Sequence, residues 1–167
     1  MRARDRQEQA TRTHLLLRSG GFTVATAESL TGGKLAARFT ETPGASETYL
    51  GGVVTYATAL KQTLLDVSDE VVEQYGVVSA ECARAMASGI RARTGASFGI
   101  ATTGVAGPSE QEGKPPGTVY VGLAGPGLLE AVALDLSGDR ATITDRTCDE
   151  ALSALAAILQ REEVGLG

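Results

Sequence analysis

Apolar positions along this chain follow two rhythms. Short apolar or β-branched runs alternate with longer segments whose apolar residues recur every three or four positions, a pattern of strands interleaved with helices. Arg4 to Ser19 carries Ala10 and Leu15 to Leu17 and reads as a helix stopped by Gly20 and Gly21. Phe22 to Ala27 reads as a strand, and Lys34 to Glu41 as a helix closed by the breaker Thr42-Pro43-Gly44. A turn around Ala45 to Leu50 leads into Gly51 to Tyr56, which reads as a buried strand. Ala57 to Leu65 reads as a helix, and Ser68-Asp69-Glu70 opens a short one ending near Gly76.

Ser79 to Thr94 carries the clearest helical signature. Ser79 suits an N-cap, Glu81 favours the first turn, and Ala83, Met86, Ala87 and Ile90 share one face before Gly95. Ser97 to Thr103 reads as an apolar strand and Gly104 to Gly117 as a loop rich in Gly and Pro. Thr118 to Ala124 and Leu128 to Leu136 read as a hairpin about Gly125-Pro126-Gly127. Gly138 and Asp139 introduce a last helix, with Ile143, Thr147, Ala151, Leu155 and Ile158 along one face. The tail after Arg161 is expected to be loose. About five strands in this order predict an α/β fold with a mixed sheet, its parallel crossovers early and its hairpin late.

The 167 residues predict a single domain, 1–167, able to bury roughly 70% of its unfolded surface. Trp is absent and aromatics are 4%, so the core must be built from Ala, Val, Leu and Ile. A net charge of −5 without a basic run argues against nucleic-acid or membrane partners. The charged segment Met1 to Arg6 lacks a signal-peptide core, and no apolar run reaches transmembrane length, so a cytoplasmic location is expected. Cys82 and Cys148 match no metal or redox spacing and read as buried free thiols. Neither a metal nor a cofactor is expected.

In open α/β sheets, ligands sit outside the carboxyl ends of the strands. Three predicted strands end suggestively: one at Ala27-Glu28-Ser29-Leu30-Thr31-Gly32-Gly33, one at Thr55-Tyr56 with Lys61 five residues on, and one at Thr102-Thr103-Gly104. If these strands are neighbours, Ser29, Tyr56, Lys61 and Thr103 meet in one crevice. The helix start after Ser29 offers unpaired N–H groups, and Gly32 and Gly33 let backbone approach a ligand closely. On residue type alone Ser29 is more often a helix cap than a nucleophile, Tyr56 an ordinary strand residue and Lys61 a solvated helix lysine. A nucleophilic serine also needs a base. The only histidine, His14, falls in the first, peripheral helix, where a surface or half-buried place is expected. A Ser-His-Asp triad is therefore not predicted. The remaining base is a lysine stripped of its proton by desolvation, as in Ser–Lys variants of the triad, with Tyr56 available as a proton relay.

Taken together the motifs are specific. Ala27 to Gly33, Pro43-Gly44-Ala45-Ser46, Gly51 to Tyr56 with Lys61, Gly76-Val77-Val78-Ser79, Ala101 to Pro108, Pro116 to Tyr120 and Gly138-Asp139-Arg140 stand in one order. In this the chain resembles the C-terminal domain family of the competence/damage-inducible protein CinA, which also occurs as stand-alone nicotinamide-nucleotide amidohydrolases. The resemblance implies a three-layer α/β/α sandwich with a mixed, mostly parallel sheet. It implies metal-free hydrolysis of the carboxamide of nicotinamide mononucleotide, giving nicotinic acid mononucleotide and ammonia. The family's nucleophile maps onto Ser29, its base onto Lys61 and its assisting tyrosine onto Tyr56. N–H groups of Leu30, Thr31, Gly32 and Gly33 are then expected to hold the oxyanion, and Thr102, Thr103, Gly104 and the loop to Gly117 the ribose and phosphate. Arg140 is either a phosphate partner or a solvated helix residue, and Lys114 is expected to be exposed. The family often has Cys where this chain has Leu30, whose side chain is expected to point away from the reaction. Residues 57–60, Ala-Thr-Ala-Leu, are less polar than is usual. A homodimer or higher homo-oligomer is expected. The alternatives are an inactive nucleotide-binding or interaction module of the same fold, and an amidase for another small amide.

Overall fold

A computed structural model describes residues 1–165. The helices are α1 (Ala3–Gly20), α2 (Lys34–Thr40), α3 (Thr58–Leu65), α4 (Asp69–Tyr75), α5 (Ala80–Thr94) and α6 (Arg140–Gly165). The strands are β1 (Val24–Glu28), β2 (Tyr49–Val54), β3 (Phe98–Gly104), β4 (Thr118–Gly125) and β5 (Leu128–Asp135). They form one sheet in the order β2-β1-β3-β4-β5. β1 pairs in parallel with β2 and β3, while β4 runs antiparallel to β3 and β5. Four strands thus point one way and β4 alone the other, in a mixed α/β/α sandwich.

Strand alternation sorts the core into two faces. Val24, Phe98, Ile100, Val121 and Leu123 pack against Leu17 of α1, Leu35 and Phe39 of α2, and Leu152 and Leu155 of α6. Ala25, Ala27, Ala101 and Ala124 face Cys82, Met86, Ala87 and Ile90 of α5. The residues on this second face are small because α5 lies against the sheet backbone itself. A Cβ on Gly122 would stand 2.0 Å from the Ala83 carbonyl oxygen, and one on Gly99 would stand 2.1 Å from that of Ala87. On the other side of α5, a Cβ on Gly89 would stand 2.1 Å from the Leu65 carbonyl oxygen, so α3 is pressed equally close.

The structure moves some expected boundaries. β2 spans Tyr49–Val54 rather than Gly51 to Tyr56, and it is an edge strand with alternating exposure, not a buried one. Its ladder stops before Thr55 and Tyr56, whose carbonyls turn inward instead. α6 continues through Gly165 where a loose tail was expected after Arg161, and Leu166 and Gly167 lie outside the described residues. Among the described residues, no helix is long and apolar enough to cross a membrane.

β1 is followed in the chain by β2 on one side, and β3 lies on its other side. The carboxyl end of β1 is therefore a topological switch point, where the loops that follow strands diverge and leave a crevice. Ser29 is the first residue beyond it.

Candidate active site

The Ser29 turn is built from its own neighbours. The Ser29 N–H donates to the Thr102 carbonyl at 2.9 Å and fixes the turn to β3. Gly32 and Gly33 then take φ of 56° and 106°, values that side chains rarely tolerate. Glu28, fully buried, folds beneath this turn. Its carboxylate accepts from Thr31 Oγ1 at 2.6 Å, from the Leu35 N–H at 2.7 Å and from the Ala36 N–H at 3.1 Å. Thr102 Oγ1 meets Thr31 Oγ1 at 2.8 Å and extends the network into β3.

Glu28 therefore takes the N–H groups of Leu35 and Ala36 in the first turn of α2, and none of the Leu30 to Gly33 donors that were expected to face a ligand. Gly32 N–H is taken instead by the Ser29 carbonyl at 3.1 Å. Among the described residues, the N–H groups of Leu30 and Thr31, next to Ser29, have no acceptor. The Leu30 side chain packs with Ala106, Val119, Leu136 and Ile143, which anchors the turn in an apolar nest.

Lys61 reaches this turn from α3 and is not the solvated lysine that its residue type suggests. It is 1% exposed. Its Nζ donates to the Thr55 carbonyl at 2.6 Å and the Tyr56 carbonyl at 3.2 Å, and lies 2.9 Å from Ser29 Oγ. Carbonyls can only accept. A neutral amine would spend its two N–H groups on them and keep its lone pair for the Ser29 hydroxyl. Burial lowers the Lys61 pKa below 10.5, opposed by the weaker pull of Cys82 and Glu112. Burial likewise pushes the Cys82 thiol up to about 11, so at neutral pH it carries no charge.

Ser29 opens into a cleft of about 450 Å³. Its walls are Leu30, Tyr56, the segment Gly104 to Gln111, and Arg140. Tyr56 is 55% exposed, and its hydroxyl accepts from Arg140 Nη2 at 2.5 Å rather than standing between Lys61 and Ser29. The expected relay is thus replaced by direct contact of amine and serine. Arg140 is exposed, and its Nη1 donates to the Gly107 carbonyl at 2.5 Å. The Arg140–Tyr56 bond forms a bar between this cleft and a second of about 640 Å³, lined by Leu30, Gly32, Lys34 and Thr144 among others.

Other expected site residues fall elsewhere. Thr103 is buried, and its hydroxyl donates to the Val77 carbonyl at 2.7 Å, away from the cleft. Its neighbour Gly104 does line the cleft. Lys114 is half-buried rather than exposed, with Nζ on the Val78 carbonyl. His14 is buried rather than half-exposed, its Nδ1 2.8 Å from Thr48 Oγ1. Thr102, expected to hold ribose or phosphate, instead ties Thr31 to β3, and the part played by Glu28 was missed, though it offered one signal, an acid at a strand end just before a helix start. Among the described residues, no cluster of three or more His, Cys, Asp or Glu could hold a metal ion.

All residues of this cleft lie within the stretch 6–159 that matches the family described as CinA C-terminal domain. The chain belongs to that family. A CinA-like protein of Frankia casuarinae is 46% identical to this CinA-family domain over 144 residues, covering 86% of this chain and 33% of the relative. One from Geobacter sp. (strain M21) is 43% identical over 158 residues, covering 94% of this chain and 38% of the relative. The chain thus spans about a third of the length of these curated relatives. A crystal structure of a competence-damaged protein (CinA) superfamily protein from Klebsiella pneumoniae matches with a TM-score of 0.91 at 33% identity, covering 93% of this chain and 98% of that one. One from Escherichia coli matches with a TM-score of 0.89 at 30% identity, covering 96% and 93%. The CinA-family sandwich is therefore shared as a whole, from α1 through α6.

Proposed function

We propose that this CinA-family domain is an amidase that hydrolyses the carboxamide of nicotinamide mononucleotide to nicotinic acid mononucleotide and ammonia. The observation that carries this reading is the buried Lys61 amine against Ser29 Oγ at the floor of an open cleft. Neutral Lys61 takes the hydroxyl proton as Ser29 Oγ bonds to the carboxamide carbon. The oxyanion so formed faces the N–H groups of Leu30 and Thr31. Collapse breaks the C–N bond, and the nitrogen leaves as ammonia with the proton held by Lys61. Water then gives that base a proton, adds to the ester carbon and releases Ser29, which recovers its proton from Lys61.

One observation favours a second reading, an amidase for a small amide without a phosphate. Arg140, the guanidinium at the cleft, is engaged by Tyr56 and Gly107. The two are separated by supplying nicotinamide mononucleotide and its dephosphorylated nucleoside to the purified protein and measuring ammonia, with Ser29→Ala as control. Release from the nucleotide alone supports the first reading, and release from the nucleoside alone the second. No release above control from either sinks both, and free nicotinamide in place of ammonia means glycosidic cleavage.

A further inference from the structure

One exposed strip of the molecule carries no charge. Between Glu47 and Lys61 no charged residue occurs, Lys61 itself is buried, and the next charge is Asp66. The strip holds β2, the link after it and α3. Its large apolar side chains Leu50, Val54, Tyr56, Leu60 and Leu64 are 37% to 55% exposed. Together they leave on the order of 400 Å² of apolar surface bare, the size of patch that marks an interaction site.

The backbone beside this patch is bare as well. β2 pairs with β1 on one side and, among the described residues, with no strand on the other. Part of its N–H and C=O groups therefore point outward without a strand partner. A Cβ on Gly51 would meet nothing within 4 Å, so the edge lies open there. The register irregularity falls at the start of the strand, by Leu50, and Gly51 to Val54 pair with β1 in step. Proteins commonly blunt such an edge with Lys, Pro or another charge, and β2 has none of these. The opposite edge does: β5 carries Glu130 and Asp135, and Glu130 pairs with Arg161 at 3.8 Å.

An uncharged strand edge is matched by another strand edge. The chain carries a net charge of −5, so two copies approach with least repulsion where charge is missing. An antiparallel β2–β2 pair about a two-fold axis sets this one patch against itself and closes the assembly at two copies. A stable dimer takes about 800 Å² from each partner. The apolar side chains supply about half of that, and the strand backbone and the exposed Ala57, Thr58 and Ala59 lie beside them.

We propose that the β2 edge and the outer face of α3 form the interface of a homodimer, in which β2 pairs antiparallel with β2 of a second copy. Such a dimer forms whether or not the domain is an amidase. Its interface ends at Thr55 and Tyr56, whose carbonyls hold the Lys61 amine, so the second copy borders the link that fixes the base.

The test is sedimentation equilibrium of the full chain from micromolar to submillimolar concentration, with amide hydrogen exchange at both ends of that range. The wild type sediments with twice the mass of the chain, and the amides of Gly51 to Val54 exchange more slowly as the dimer fills. Leu50→Lys and Val54→Lys each bring a charge to the edge from both copies. Whichever is folded by circular dichroism has a dissociation constant raised about a hundredfold. Leu129→Lys, at an exposed position of β5, keeps the dimer. A wild type that stays monomeric at every concentration overturns the proposal. So does a dimer whose amides at 51–54 gain no protection, one that survives in a folded β2 variant, or one that Leu129→Lys dissolves. A mass that keeps growing with concentration means β2 joined head to tail with another surface, and overturns it as well.

Discussion

Thr55 accepts from Lys61 at 2.6 Å, closer than the 2.9 Å between the same amine and Ser29. The strand end thus holds the amine, and the serine takes what remains of its valence. Freed of its third proton, the amine turns its lone pair to the hydroxyl. Ammonia release is therefore expected to rise with pH and level off above an inflection below 10.5, since burial depresses this lysine. Lys61→Arg, whose guanidinium stays protonated, loses about 10³-fold in kcat. A rate that is flat over the same range contradicts Lys61 as base.

The buried amine also has a thermodynamic signature. Its folded pKa lies below the unfolded value near 10.5, so between the two the unfolded chain binds the extra proton. Stability then grows as pH rises through that window, and the cost of burying the cation is fully present below it. Lys61→Met removes the group. The Tm of wild type minus that of the variant should climb between neutral pH and about 10, whatever its starting sign. Parallel melting curves at every pH would show that the amine is not depressed.

Tyr56→Phe separates a relay from a wall. The phenol bonds to Arg140 and not to the dyad. Its loss is expected to lower kcat less than about tenfold and leave the pH inflection in place, whereas removing a proton carrier costs about 10²-fold or more.

Glu28→Ala removes a buried carboxylate that holds one hydroxyl and two backbone N–H groups. The orphaned donors should cost about 3 kcal/mol, a fall of roughly 6–12 °C in Tm for a domain of this size. A melt within about 2 °C of wild type would mean that solvent takes over the capping role.

Gly122→Ala tests the packing of α5. The added Cβ would stand 2.0 Å from the Ala83 carbonyl oxygen, and overpacking of this kind costs about 1–3 kcal/mol. Gly127→Ala, with open space around it but φ 65°, should cost about 1 kcal/mol from backbone strain alone. Chemical denaturation of the two variants side by side reads the difference.

The layered fold was legible because each element carries its own period, while the adjacency that brings three strand ends together at Ser29 is supplied by the sheet order. The site was less so, for identifiable reasons. Thr102 and Thr103 are adjacent on one strand and must point to opposite faces, but their identities do not say which face carries the cleft. The burial of Lys61 depends on two carbonyls that leave the β2 ladder, and a carbonyl has no residue code. Arg140 meets Tyr56 across 84 residues, beyond any local pattern. Glu28 stood in plain view, but only the fold shows that it folds back beneath the turn onto Thr31 and the start of α2.

The glycine contacts between α5 and the sheet divide the pocket's future. Along α5, helix and sheet meet backbone to backbone, and α3 leans on α5 in the same way. A side chain at Gly89, Gly99 or Gly122 would collide with that backbone. The opposite wall, Gly104 to Gln111, is a loop that carries side chains into the cleft. Divergence or engineering of substrate preference finds its room in that loop, and the close-packed glycines of α5 leave it none.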